Sequence, residues 1–168
     1  MLGSGQFWGM GVFQIILALH IGFGVAALIL GPVSMFSRKR RGVHTRAGEF
    51  YHWLVLGTCA GAVALSILDW ARIWWFLPIG LGSYAFALLG YLAAKRRRSG
   101  WVRLHIIGQG GSYIALVTAV LVVNWLPLFG TRGIHSPLAW TLPTVIGSPL
   151  IGWAIARWRR NTPAHPGL

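Results

Sequence analysis

Residues 37–53 read Ser-Arg-Lys-Arg-Arg-Gly-Val-His-Thr-Arg-Ala-Gly-Glu-Phe-Tyr-His-Trp. They hold five basic residues, two histidines and Glu49, one of only two carboxylates in the chain, between two long apolar runs. The surrounding chain is 55% hydrophobic and 10% charged over 168 residues, where a soluble domain carries about 25% charged residues. A water-soluble globular fold is excluded on that balance. A formal charge of +13 would suit a nucleic-acid binder, but the cations come in short clusters between runs of membrane-spanning length, so no nucleic-acid partner is expected.

Outward from this block, five stretches supply the roughly 20 mostly apolar residues that a transmembrane helix needs: 7–36, 51–70, 73–94, 102–125 and 137–156. The expected fold class is all-α, an integral-membrane helical bundle of one domain, with 157–168 as a cytoplasmic tail. The N-terminus, MLGSGQFWGMG, lacks a basic n-region, so the first run reads as a retained span rather than a signal peptide. Thirteen of the fifteen basic residues fall on one side of a five-span arrangement, and only Arg72 and Arg132 on the other. Because loops near span ends on the cytoplasmic side carry the excess of Lys and Arg, the N-terminus is expected outside and the C-terminus inside, in a bacterial inner membrane. Tryptophans near the expected span ends, such as Trp53, Trp70, Trp74 and Trp125, fit interfacial belts. The single cysteine, Cys59, excludes an intrachain disulfide.

The helical faces carry further information. In span one, His20, Gly24, Ala27 and Gly31 fall at offsets 0, 4, 7 and 11, a stripe that admits either a close helix or a flat cofactor. Span two has Gly57-x-x-x-Gly61, with Glu49, His52, Leu56 and Cys59 along another face. Asp69 and Arg72, three apart, are expected to pair where that span ends. In span four, His105, Gln109 and Ser112 form a polar stripe flanked by Gly108 and Gly111, with Tyr113 beside it. Such a stripe must face protein, water or a bound group, because an unsatisfied polar group in hydrocarbon costs several kcal/mol. Span five carries Pro143 and Pro149, which remove backbone hydrogen bonds and are expected to kink or break it.

Ionisable groups inside a membrane are functional candidates by default. One reading makes His20, His44, His52 and His105 ligands of a haem b or a transition metal, with Glu49, Gln109 and Tyr113 as hydrogen-bond or proton partners. In the metal version the ligands are His44, His52 and His105. This cofactor would serve membrane electron transfer. A second reading has the same groups relaying protons or lining a path, as in a small transporter or proton-linked channel, since imidazole titrates near neutral pH. A third leaves the histidines structural and the chain an accessory subunit of a larger membrane complex or a homo-oligomer in the lipid bilayer. With two carboxylates, no HExxH and no phosphate-binding glycine loop, hydrolysis has no support.

The pattern His20-Ile21, Gly24, Ala27-Leu28, Gly31-Pro32, then His44-x-x-x-Gly48-x-x-Tyr51, then His105 seven residues before Ser112-Tyr113, resembles a bacterial membrane-protein family catalogued as domain of unknown function 2306. The likeness covers residues 18–120. It implies a multi-pass membrane protein and singles out His20, His44 and His105, His52 being an addition of this chain. Thr45 follows His44 and Glu49 follows Gly48 where the family pattern has arginine, so the resemblance implies no anion-binding role for those positions.

Overall fold

The computed structural model describes residues 4–37, 42–130 and 133–161. Among them the order is α1 (Ser4–Phe36), α2 (Val43–Leu68), a single turn α3 (Trp70–Ile73), α4 (Phe76–Arg96), α5 (Trp101–Phe129), a 3-10 turn (Gly133–His135) and α6 (Pro137–Asn161), with no strand. Five segments are long and apolar enough to cross a membrane: Gly11–Phe36, Val43–Leu68, Phe76–Arg96, Trp101–Trp125 and Pro137–Asn161. The expected all-α fold therefore holds, with five helices of the length and apolarity that spanning requires. Three features of the topology reading, the basic residues 38–41, Arg132 and the tail 162–168, lie outside the described residues.

The largest boundary correction is at α2, which begins at Val43 rather than at residue 51. The segment expected as a loop is helix because its first turns face protein. Ala47, Tyr51, Val55, Thr58, Ala62 and Leu65 recur every three or four residues and are all buried. A hydropathy count overlooks such a start because its outer face is polar. Gly42 precedes the helix at φ 132, a conformation that side-chain-bearing residues avoid, and its carbonyl accepts the Arg46 N–H at 3.0 Å. At the other end the Asp69 N–H donates to Leu65 O at 3.0 Å, and the Asp69 carboxylate meets Arg72 Nε at 3.3 Å, the pair expected from the spacing. Arg72 is largely exposed, so this pair ends the helix without contributing much stability.

Contacts gather into two units, residues 1–85 and 86–168, divided inside α4. In the first unit α1 lies along α2 through its small residues. Ala27 is fully buried, and Gly24 lets Thr58 come within ordinary van der Waals reach of where a Cβ would be. The Gly57-x-x-x-Gly61 face of α2 receives side chains rather than backbone: a Cβ on Gly57 would stand 2.6 Å from the Phe23 ring, and one on Gly61 would stand 2.9 Å from His20 Cβ. Ile15, Leu19, Ile29 and Val33 of α1 are exposed, as lipid-facing residues are. The first part of α4 joins this unit at Gly80, against Cys59 O and Ala62.

In the second unit α4 and α5 cross at two glycines. A Cβ on Gly108 would collide with the backbone of Gly90 and with Phe86 O. The chain reverses between these helices through Arg97 at φ 47 and Gly100 at φ 74. α5 and α6 interlock reciprocally, Ile151 seated at Gly110 and Ile114 seated at Gly147. α6 is continuous from Pro137 to Asn161 through Pro143 and Pro149, so the alternative of a broken span does not hold. Each proline deletes one backbone donor, a loss that membrane helices absorb when neighbouring helices pack the segment. Trp125, expected in an interfacial belt, is buried and packs against Phe129, the two rings tilted by 34° with centroids 4.3 Å apart.

Candidate functional site

Three of the four candidate histidines share one geometry. His20 on α1 donates Nδ1–H to Thr58 O of α2 at 2.8 Å. His44 on α2 donates Nδ1–H to Ser34 O of α1 at 2.8 Å. His105 on α5 donates Nδ1–H to Gly90 O of α4 at 2.9 Å. A carbonyl only accepts, so in each neutral ring the proton sits on Nδ1 and the lone pair on Nε2.

The acceptors follow from helix chemistry. Ser34 is in the last turn of α1, where carbonyls have no intrahelical partner. Its oxygen takes His44 and also the Ser37 hydroxyl at 2.9 Å. Thr58 O and Gly90 O lie inside helices and use a second lone pair. Gly90 has no side chain to hold α5 away, so its carbonyl is within reach of His105. One turn further along α5, Gln109 Nε2 donates to Ala87 O at 3.1 Å. Ser112, fully buried, closes the stripe by donating to Gln109 O at 2.9 Å. The polar face of α5 thus meets protein, as expected: His105 and Gln109 reach α4 carbonyls, and Ser112 turns back to a carbonyl of α5 itself.

His44, Gly48 and Tyr51 lie on one face of a helix, at offsets 0, 4 and 7. Gly48 stands beside the Ser34 hydroxyl and Tyr51 is 2% exposed, so this motif docks α2 on the end of α1. His52 is buried in the first unit, its ring 5.6 Å from that of Trp53 and 5.7 Å from that of Tyr84. Glu49 is half-buried on α2 and Tyr113 half-buried on α5.

Within the first unit the histidines occupy separate levels. His20 engages α2 at Thr58, fourteen residues beyond His44, which at 1.5 Å per residue is about 21 Å along the axis. His44 and His52 are eight residues apart on one helix, about 12 Å. Among the described residues no group of three or more His, Cys, Asp or Glu is placed to hold a metal ion. Neighbouring helices occupy the glycine positions Gly24 of the α1 stripe, Gly57 and Gly61 of α2, and Gly108 and Gly111 of α5.

Sequence reasoning did not find Ser34, Thr58, Ala87 or Gly90. Each contributes a main-chain oxygen, which no residue type announces. Tyr84 was equally silent, as one aromatic residue in an apolar helix. Comparison with protein-family models, with curated proteins and with solved structures finds no match to this chain.

Proposed function

We propose that the protein is a five-span protein of the bacterial inner membrane, N-terminus outside and C-terminus inside. In this reading it holds a histidine-ligated haem b that serves electron transfer within the membrane. The observation that supports it is the shared anchoring of His20, His44 and His105 through Nδ1–H to a main-chain carbonyl. Histidines that ligate iron characteristically donate their other ring N–H in this manner, which fixes the tautomer and raises the basicity of Nε2. Haem suits the donor set better than a bare transition-metal ion. The porphyrin supplies four of the iron's ligands, so one or two imidazoles suffice, whereas a bare ion needs a cluster of protein donors. The resemblance to the family described above belongs to this proposal and names the same three histidines.

Protein purified from membranes after haem supplementation is expected to show a Soret band that shifts on reduction. Haem content should fall severalfold in His20→Ala or in His105→Ala. Absence of the band in folded wild-type protein overturns the proposal, as does unchanged haem content in all three of His20→Ala, His44→Ala and His105→Ala.

A second reading is favoured by the filled glycine faces and by the fact that each of these hydrogen bonds ties one helix to another. Here the imidazoles are interhelical fasteners and the chain is an accessory subunit of a larger membrane complex. Fixed partners co-purifying in mild detergent, without haem, would select it.

A further inference from the structure

The second unit carries many cations and no acidic side chain. Both acidic residues of the chain, Glu49 and Asp69, precede residue 86. The cations cluster where the helices end. Lys95 and Arg96 are in the last turn of α4, followed by Arg97 and Arg98, all exposed. Arg103 is exposed in the first turn of α5. Arg157, Arg159 and Arg160 are exposed at the end of α6.

Helix register brings these groups to one end. Gly90 lies against Gln109 and α4 runs antiparallel to α5, so Arg96 falls level with Arg103. Gly110 lies against Ile151 and Gly147 against Ile114, so Arg157 falls level with Leu104, next to Arg103. Three cations also rest on aromatic rings: Lys95 Nζ 5.2 Å from the Tyr91 centroid, Arg97 5.4 Å from Trp101, and Arg157 5.2 Å from Trp153. Cation–π contacts of this length hold the side chains beside rings of the kind that sit at headgroup depth. The positive ends are also stable where they are, since Lys and Arg in the last turns of α4 and α6 complement the helix dipole.

We infer that this end of the second unit is a binding surface for anionic phospholipid headgroups. With no acidic side chain in residues 86–168, the counter-charge for Arg98, Arg103, Arg159 and Arg160 comes from outside the unit. Phosphodiesters at the membrane surface offer it at the depth where Trp101 and Trp153 place the guanidinium groups. Each Lys or Arg near an anionic leaflet strengthens binding on the order of fivefold.

The test uses the full chain in mild detergent, with phosphatidylglycerol and phosphatidylcholine as probes and retained lipid read by native mass spectrometry. Wild type is expected to retain phosphatidylglycerol at least about tenfold over phosphatidylcholine, with the preference shrinking as salt rises. The combined Arg98→Gln, Arg103→Gln, Arg159→Gln, Arg160→Gln variant spares the three ring-stacked cations and should lose most of that preference. Equal retention of the two lipids by wild type overturns the inference, and so does an undiminished preference in the folded variant. Should the variant fail to fold, wild-type thermal stability decides. Stabilisation by phosphatidylglycerol but not by phosphatidylcholine or inorganic phosphate supports a lipid surface. Equal stabilisation by inorganic phosphate, or an acidic protein that co-purifies and displaces the lipid, overturns it.

Discussion

Replacing Gly108 by alanine is expected to cost about 3 kcal/mol of folding stability, the upper part of the range for overpacking a tight interior. The new methyl group would enter the backbone of Gly90 and approach Phe86 O at 2.7 Å, so no side-chain rotation relieves it. Relief requires α4 and α5 to separate. Separation stretches the His105 bond to Gly90 O and the Gln109 bond to Ala87 O, leaving polar groups in hydrocarbon, where each unsatisfied group costs several kcal/mol. Gly22→Ala is the control. Nothing lies within 4 Å of its Cβ position, and alanine favours a helix interior over glycine by about 0.5–1 kcal/mol. Unfolding in detergent micelles followed by tryptophan fluorescence should therefore show Gly108→Ala strongly destabilised and Gly22→Ala equal to or above wild type. A Gly108→Ala protein that unfolds together with wild type would show that the two helices do not cross backbone to backbone.

This contrast marks what could be read from the residues alone. The five apolar runs were visible because hydrocarbon imposes one composition along a whole helix, and the Asp69 and Arg72 spacing announced its own pair. The α5 stripe of His105, Gln109 and Ser112 was legible as a face that must be covered, because three polar groups at helical spacing have few other places to go. Its partners were not legible. Main-chain oxygens of Gly90 and Ala87 receive it, and whether a carbonyl is reachable depends on how near a second helix comes. The start of α2 was hidden for a related reason. His44, Gly48 and Tyr51 are helical because α1 covers one side of them, a tertiary effect that outweighs their low hydropathy. The glycines were ambiguous in the same sense. Gly57 and Gly61 have the spacing of a backbone-to-backbone contact yet receive a phenylalanine and a histidine, whereas Gly90 and Gly108, neither with a second glycine four residues away, make the backbone contact.

Gly61→Ala should cost about 2 kcal/mol alone and much less in a His20→Gly background. The alanine methyl would lie 2.9 Å from His20 Cβ, 3.3 Å from its Nδ1 and 3.4 Å from its Cα. His20→Gly removes the first two contacts and leaves a Cα distance that a small shift accommodates. His20→Gly is itself destabilising, since it loses the bond to Thr58 O and places a glycine in the interior of α1. Against that lowered baseline, Gly61→Ala also gains helix propensity in α2. The coupling energy from the four unfolding curves should be about 1–2 kcal/mol, in the direction of rescue. Gly57→Ala provides a milder comparison, because its clash is with the Phe23 ring alone and a rotamer change can ease it. The Gly61 variant also probes the proposed haem site without removing the imidazole. A methyl group there pushes His20 away from Thr58 O, which frees the ring to rotate and exchange tautomers. Haem content should then fall in Gly61→Ala while remaining at the wild-type level in Gly22→Ala, if Nδ1 anchoring is what prepares Nε2 as the ligand atom. Additive stabilities across the cycle would show that His20 does not occupy the Gly61 notch. Full haem content with normal coupling would instead assign His20 a purely structural role.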